Sequence, residues 1–249
     1  MGWGARWAMI MVRPMITRIR TGTTTGIPTG IVTGTRMMDD PADLLRLVQW
    51  LSPAFPTGAY AYSHGLEQAV SMGDVVDAAG FSDWLSDILA HGAGWNDAVL
   101  MACALRGEDG AHLADVARAL APSAERLRET EDQGAAFAKA VSEMGGGAIL
   151  PAPLPVAVGV AGRGLNVKIE QKLAVFLHSF ASNLVSAGVR FIPLGQAAGQ
   201  RVLAAQHGLI VDIAARAAQA GLGDLGGAAI RADLQSMQHE ELDVRIFKT

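Results

Sequence analysis

The stretch Leu173–Val189, LAVFLHSFASNLVSAGV, decides what kind of fold this chain has. None of its residues carries a formal charge, and it approaches the length of a bilayer span, which takes about 20 apolar residues. It also holds His178, Ser179, Ser182, Asn183 and Ser186. Polar groups in lipid must find partners inside the protein. The stretch therefore reads as the middle of a core helix over Lys168–Ile192, in a soluble bundle rather than a membrane.

The same helical period runs outward in both directions. Leu44, Leu47, Val48 and Leu51 fall at i, i+3, i+4 and i+7, one face of a helix that Pro53 stops. A short helix is expected over Ser63–Ser71. Phe81, Trp84, Leu85 and Ile88 mark the next, with Asp77 as its cap. Gly92 and Gly94 interrupt it, and Trp95–Leu105 reads as a buried helix. Charged, alanine-rich helices are expected at about 110–120 and 123–144, then an apolar one over Leu154–Gly162. Pro193 opens a helix to about Ala220, and a last one covers Ala228–Glu240. The tail Leu242–Thr249 reads as extended. No strand–helix alternation and no fixed repeat stand out. The expectation is an all-α single domain of about nine or ten packed helices over 39–249, preceded by a disordered basic extension over 1–38.

Composition agrees. Half the residues are hydrophobic, 18% are charged and only 6% aromatic, a balance that suits packed helices better than a β-sandwich. Residues 1–36 hold five arginines and no acid, which leaves 15 basic against 24 acidic residues in the rest. An acidic body argues against a nucleic-acid partner, which needs a positive footprint. Cys103 is the only cysteine, so an internal disulfide is ruled out, and its apolar setting reads as core packing.

The chemically mixed stretch is Ser52–Ala69, SPAFPTGAYAYSHGLEQA. Ala61–Gly65, AYSHG, imitates a nucleophile elbow, which would make Ser63 the nucleophile of a serine hydrolase. An elbow needs a strand before it, and none is expected here. The plainer reading is that Ser63 caps the following helix and that Glu67 meets a buried basic or polar partner, or an interface. Six histidines are scattered without a metal-binding spacing. His239, followed by Glu240 and Glu241, is the most ligand-like group. A nickel-binding metallochaperone is a further alternative, although no metal or cofactor site is read from the spacing. In SNLVSAGVRFIPLGQAAGQR, Ser182–Arg201, small residues permit close helix approach. Asn183 and Arg190 share a face there, and Gln196 and Gln200 mark a polar helix start.

Three stretches together resemble the urease accessory protein F (UreF) family: LLRLVQWLSPAFPTGAYAYSHGLEQAV, NLVSAGVRFIPLGQAAGQRVL and SMQHEELDVRIFKT. The resemblance covers about residues 43–249 and departs from the family pattern at Ala198, Gln238 and Asp243. It implies an all-α cytoplasmic homodimer without enzyme activity or cofactor. Such a protein bridges urease accessory protein D (H in some organisms) and the GTPase accessory protein G. The complex inserts nickel into apo-urease at the expense of GTP. The candidate partner surfaces are then Tyr62, Ser63 and Glu67 toward the GTPase, and the tail toward the D/H protein. In the tail, Phe247 would anchor a segment, Ser236–Thr249, that orders on binding, with Arg245 and Lys248 at its rim. Asn183, Arg190, Gln196, Gln200, His239 and Glu240 complete the set.

Overall fold

The computed structural model describes residues 39–248, and the expectations for residues 1–38 fall outside them. The helices are α1 (Pro41–Trp50), α2 (Leu66–Ser71), α3 (Ala78–His91), α4 (Ala93–Leu105), α5 (Gly110–Ala119) and α6 (Ala124–Glu143). They continue with α7 (Leu154–Gly162), α8 (Ile169–Phe191), α9 (Gln196–Ala205), α10 (His207–Ala217) and α11 (Ile230–His239). Two 3-10 turns, Ala59–Ala61 and Leu222–Asp224, complete the regular structure, and the described residues contain no strand. The chain is all-α, as expected.

Helix α4 sits at the centre because it is apolar on every side. Ala98 to Ala104 are all buried, and α3, α7, α8 and α10 pack around it. A helix apolar all round has no face to offer water. The approach of α7 to α4 depends on Gly159. A Cβ there would lie 2.5 Å from the Ala104 Cβ, so no larger residue fits this crossing.

Helix α8 is the stretch that opened the sequence reading. It is one-sided: Leu173, Phe176, Leu177, Ala181, Leu184, Val185 and Gly188 are buried, while His178, Ser186 and Arg190 face outward. It packs along α10, α9 and α4. By length and composition two stretches, Ala78–Leu105 and Ile169–Phe191, could cross a membrane; the first is broken at Gly92, between α3 and α4.

The helix ends follow the capping rules. Asp77 accepts from the Gly80 N–H at 2.9 Å, as expected, and Asp40, Asp109 and Ser123 cap α1, α5 and α6 in the same manner. The one helix expected from Pro193 to about Ala220 is two. The break is at Gln206, whose buried amide bonds Ser82 and Ser86 of α3 instead of continuing a smooth face. α9 and α10 thereby become separate ridges on α8.

Candidate interaction site

Two left-handed residues build the central loop. After the 3-10 turn, Tyr62 is extended, His64 has φ 60 and Gly65 has φ 82. A non-glycine residue at positive φ is uncommon. At Gly65 a side chain is also excluded by space, because a Cβ would lie 2.8 Å from the Ser236 backbone nitrogen of α11. The loop is therefore pressed onto α11, and α2 starts against that helix. Ser63 Oγ accepts from the Glu67 N–H at 3.3 Å and so serves the first turn of α2 from two positions before its cap, Gly65. Ser63 is fully buried and no strand precedes it, so the hydrolase arrangement is not present.

Glu67 is the hub. It is 3% exposed. One carboxylate oxygen accepts from the Ile246 N–H at 2.9 Å, and the other accepts from the Phe247 N–H at 2.9 Å. His239, at the end of α11, is 0% exposed and lies between two acids. Its Nε2 is 3.2 Å from Glu67 Oε2, and its Nδ1 is 2.6 Å from Glu125 Oε2. Each ring nitrogen thus lies within hydrogen-bond reach of a carboxylate oxygen, one from α2 and one from α6. Arg245 donates to the other oxygen of Glu125. Two buried carboxylates thus face one imidazole ring and one guanidinium. Such pairing is what buried polar and charged groups require.

The tail alternates. Arg245 turns inward to Glu125. Phe247 is buried, its ring 5.8 Å from that of Phe191 and the Arg190 guanidinium 5.9 Å above it. Val244 and Ile246 point out, 80% and 73% exposed. This two-residue period is that of an extended chain. Lys248 donates its N–H to the Ala61 carbonyl at 2.8 Å and holds its ammonium 5.6 Å from the Tyr62 ring centre. The Tyr62 hydroxyl donates to Asp132 at 3.1 Å. Burial, then the Asp132 charge, pushes that phenol well above its ordinary pKa.

A second polar cluster lies beneath the loop. The Arg126 guanidinium meets Asp97 at 2.8 Å, Gln133 donates to Glu129 at 3.1 Å, and His64 Nδ1 lies 3.4 Å from Glu129. Burial raises the Asp97 carboxyl above the usual carboxylate range against the pull of Arg126.

Of the sequence-derived residues, Tyr62, Ser63, Glu67, Arg190, His239, Glu240, Arg245, Phe247 and Lys248 come together here. Glu240 accepts from the Glu125 N–H at 3.2 Å, and Arg190 donates to the Tyr60 carbonyl at 3.1 Å. Asn183 is half-buried on α8, lining a cleft with Tyr62, while Gln196 and Gln200 are exposed on α9. Glu67 meets a buried polar partner, as expected, and the tail's own backbone covers its carboxylate; Ser63 is buried beside it. Within the chain Phe247 packs on Phe191 and lies under Arg190. The sequence reading missed Glu125, Arg126, Glu129 and Asp97. A signal existed on α6, where Arg126, Glu129 and Gln133 share the stripe that Phe137 and Val141 continue into the core.

The family model UreF matches residues 75–207. A urease accessory protein UreF of Cereibacter sphaeroides (strain KD131 / KCTC 12085) is 62% identical over 208 residues, 84% of this chain and 99% of the relative. The chain belongs to the UreF family of urease accessory proteins. Other UreF proteins are more distant: that of Jannaschia sp. (strain CCS1) is 49% identical over 83% of this chain and 94% of its own length. That of Rhodopseudomonas palustris (strain BisA53) is 46% identical over 84% and 94%.

Proposed function

We propose that this UreF-family chain is a non-enzymatic adaptor, working as a homodimer in the cytoplasm. It bridges urease accessory protein D (H in some organisms) and the GTPase accessory protein G, and the assembly inserts nickel into apo-urease with GTP hydrolysis. The observation that carries the reading is the seated tail. Its backbone and the Arg245 guanidinium are bonded within the chain, and among the side chains it exposes are two large apolar ones, Val244 and Ile246. Nearby, α11 exposes Ile230, Leu234 and Met237 at i, i+4 and i+7. A run of exposed large apolar residues is a feature of surfaces that bind other proteins.

The test is co-purification of the full chain with the D/H protein and the GTPase, followed by urease activation in a reconstituted mixture. A Val244→Asp/Ile246→Asp variant leaves the Glu67 acceptors in place. It is expected to keep its helical circular dichroism, lose the D/H protein and fail in activation. Undiminished recovery of both partners by that variant, or a wild-type chain that elutes alone, would contradict the reading.

A further inference from the structure

His178 lies midway along α8 and His207 is the first residue of α10, two helices that pack side by side. Their ring centroids are 5.5 Å apart with planes at 42°. Both residues are exposed, on the side of α8 away from the core. Among the described residues neither ring has a hydrogen-bond partner or an acid beside it. Packed helices thus hold the two rings side by side at the surface.

We propose that His178 and His207 form a surface site for one divalent transition-metal ion of the nickel, copper or zinc class. The distance fits. With a metal–nitrogen bond of about 2.1 Å and the ring centre roughly 1.1 Å beyond the nitrogen, two imidazoles on a tetrahedral ion have centroids about 5.2 Å apart. Imidazole donors suit nickel, copper and zinc, whereas magnesium and calcium demand oxygen. Water fills the remaining coordination positions. The partial positive charge at the α10 N-terminus opposes the ion and weakens the site. The inference rests on the ring geometry and not on the adaptor reading.

The probe is nickel sulfate alone, titrated calorimetrically at pH 7.5 into the full, untagged chain after removal of metal. Residues 1–38 contain no histidine or cysteine and so add no imidazole or thiolate ligand. One ion per chain is expected. His178→Ala and His207→Ala should each weaken binding at least tenfold, while His112→Ala, an exposed histidine on α5, leaves it unchanged. Magnesium chloride should give no heat. Absence of nickel binding by the wild-type chain overturns the proposal, as does wild-type affinity in either the His178 or the His207 variant. Circular dichroism confirms that each variant is folded, and both positions are on the surface. Urease activation is not the readout, so failure here leaves the adaptor reading standing, and the reverse holds.

Discussion

The centre of the bundle around α4 and the joint beneath the tail are both dry, but opposite forces hold them. Around α4, Leu100, Met101 and Phe81 are fully buried among other apolar side chains. Each contributes roughly 1.5–3 kcal/mol by leaving water. At the joint, the polar groups of Glu67, Glu125 and His239 have given up hydration, and only the hydrogen bonds among them and to the tail offset that cost. The first region tolerates approximate shape. The second works only if each partner is present. One makes the fold, and the other fixes where the last few residues lie.

The largest effect belongs to the apolar centre. Leu100→Ala should lower stability by about 2–5 kcal/mol, through lost burial and the cavity left behind. Denaturant unfolding followed by circular dichroism measures it, with both signals of unfolding shifting together. A loss below about 1 kcal/mol would mean that α4 is not the centre.

Glu67→Ala should cost less globally, about 1–3 kcal/mol, although it removes three hydrogen-bonded contacts at once. The tail can lift away and rehydrate His239 and the freed N–H groups, which α4 cannot do. The expected signature is a small shift in the unfolding midpoint together with rapid trimming by carboxypeptidase. A midpoint drop equal to that of Leu100→Ala would erase the distinction between the two regions.

Alkali sharpens the comparison from the other side. Burial, then Glu108, raises the Cys103 thiol to about 11. A group whose pKa is raised on folding stabilises the native state below its unfolded value, and that share is lost as pH rises through the folded value. Stability should therefore decline from about pH 9 toward 11, and decline less in Cys103→Ala. Identical pH profiles for the two proteins would place the thiol in contact with water.

What could be read in advance follows the same division. The buried faces of α3 and α8 repeat at helical spacing, so local sequence carries them, whereas on α1 the expected face is only partly buried: Leu44 and Val48 are exposed, and Leu47 and Trp50 are buried. The break at Gln206 escaped because it depends on Ser82 and Ser86, some 120 residues away. The joint escaped more fully. His239 meets Glu67 across 172 residues and Glu125 across 114, and no local period encodes such pairs. Glu67, His239, Arg245 and Phe247 were each singled out by residue type or by resemblance. Their convergence on one another, with Glu125 supplied by a helix that looked merely charged and solvated, required the fold. The alternation that sends Arg245 in and Ile246 out also became legible only once the Glu67 acceptors were in place.

The account turns on the tail being fastened by the chain's own acid. Amide hydrogen exchange at Ile246 and Phe247, in the free wild-type protein and in Glu67→Gln, tests it directly. Both amides should be protected in the wild type and exchange at least tenfold faster in the variant, while the amides of α4 keep their protection. Unprotected Ile246 and Phe247 in the wild type, or equal protection in both proteins, would contradict it.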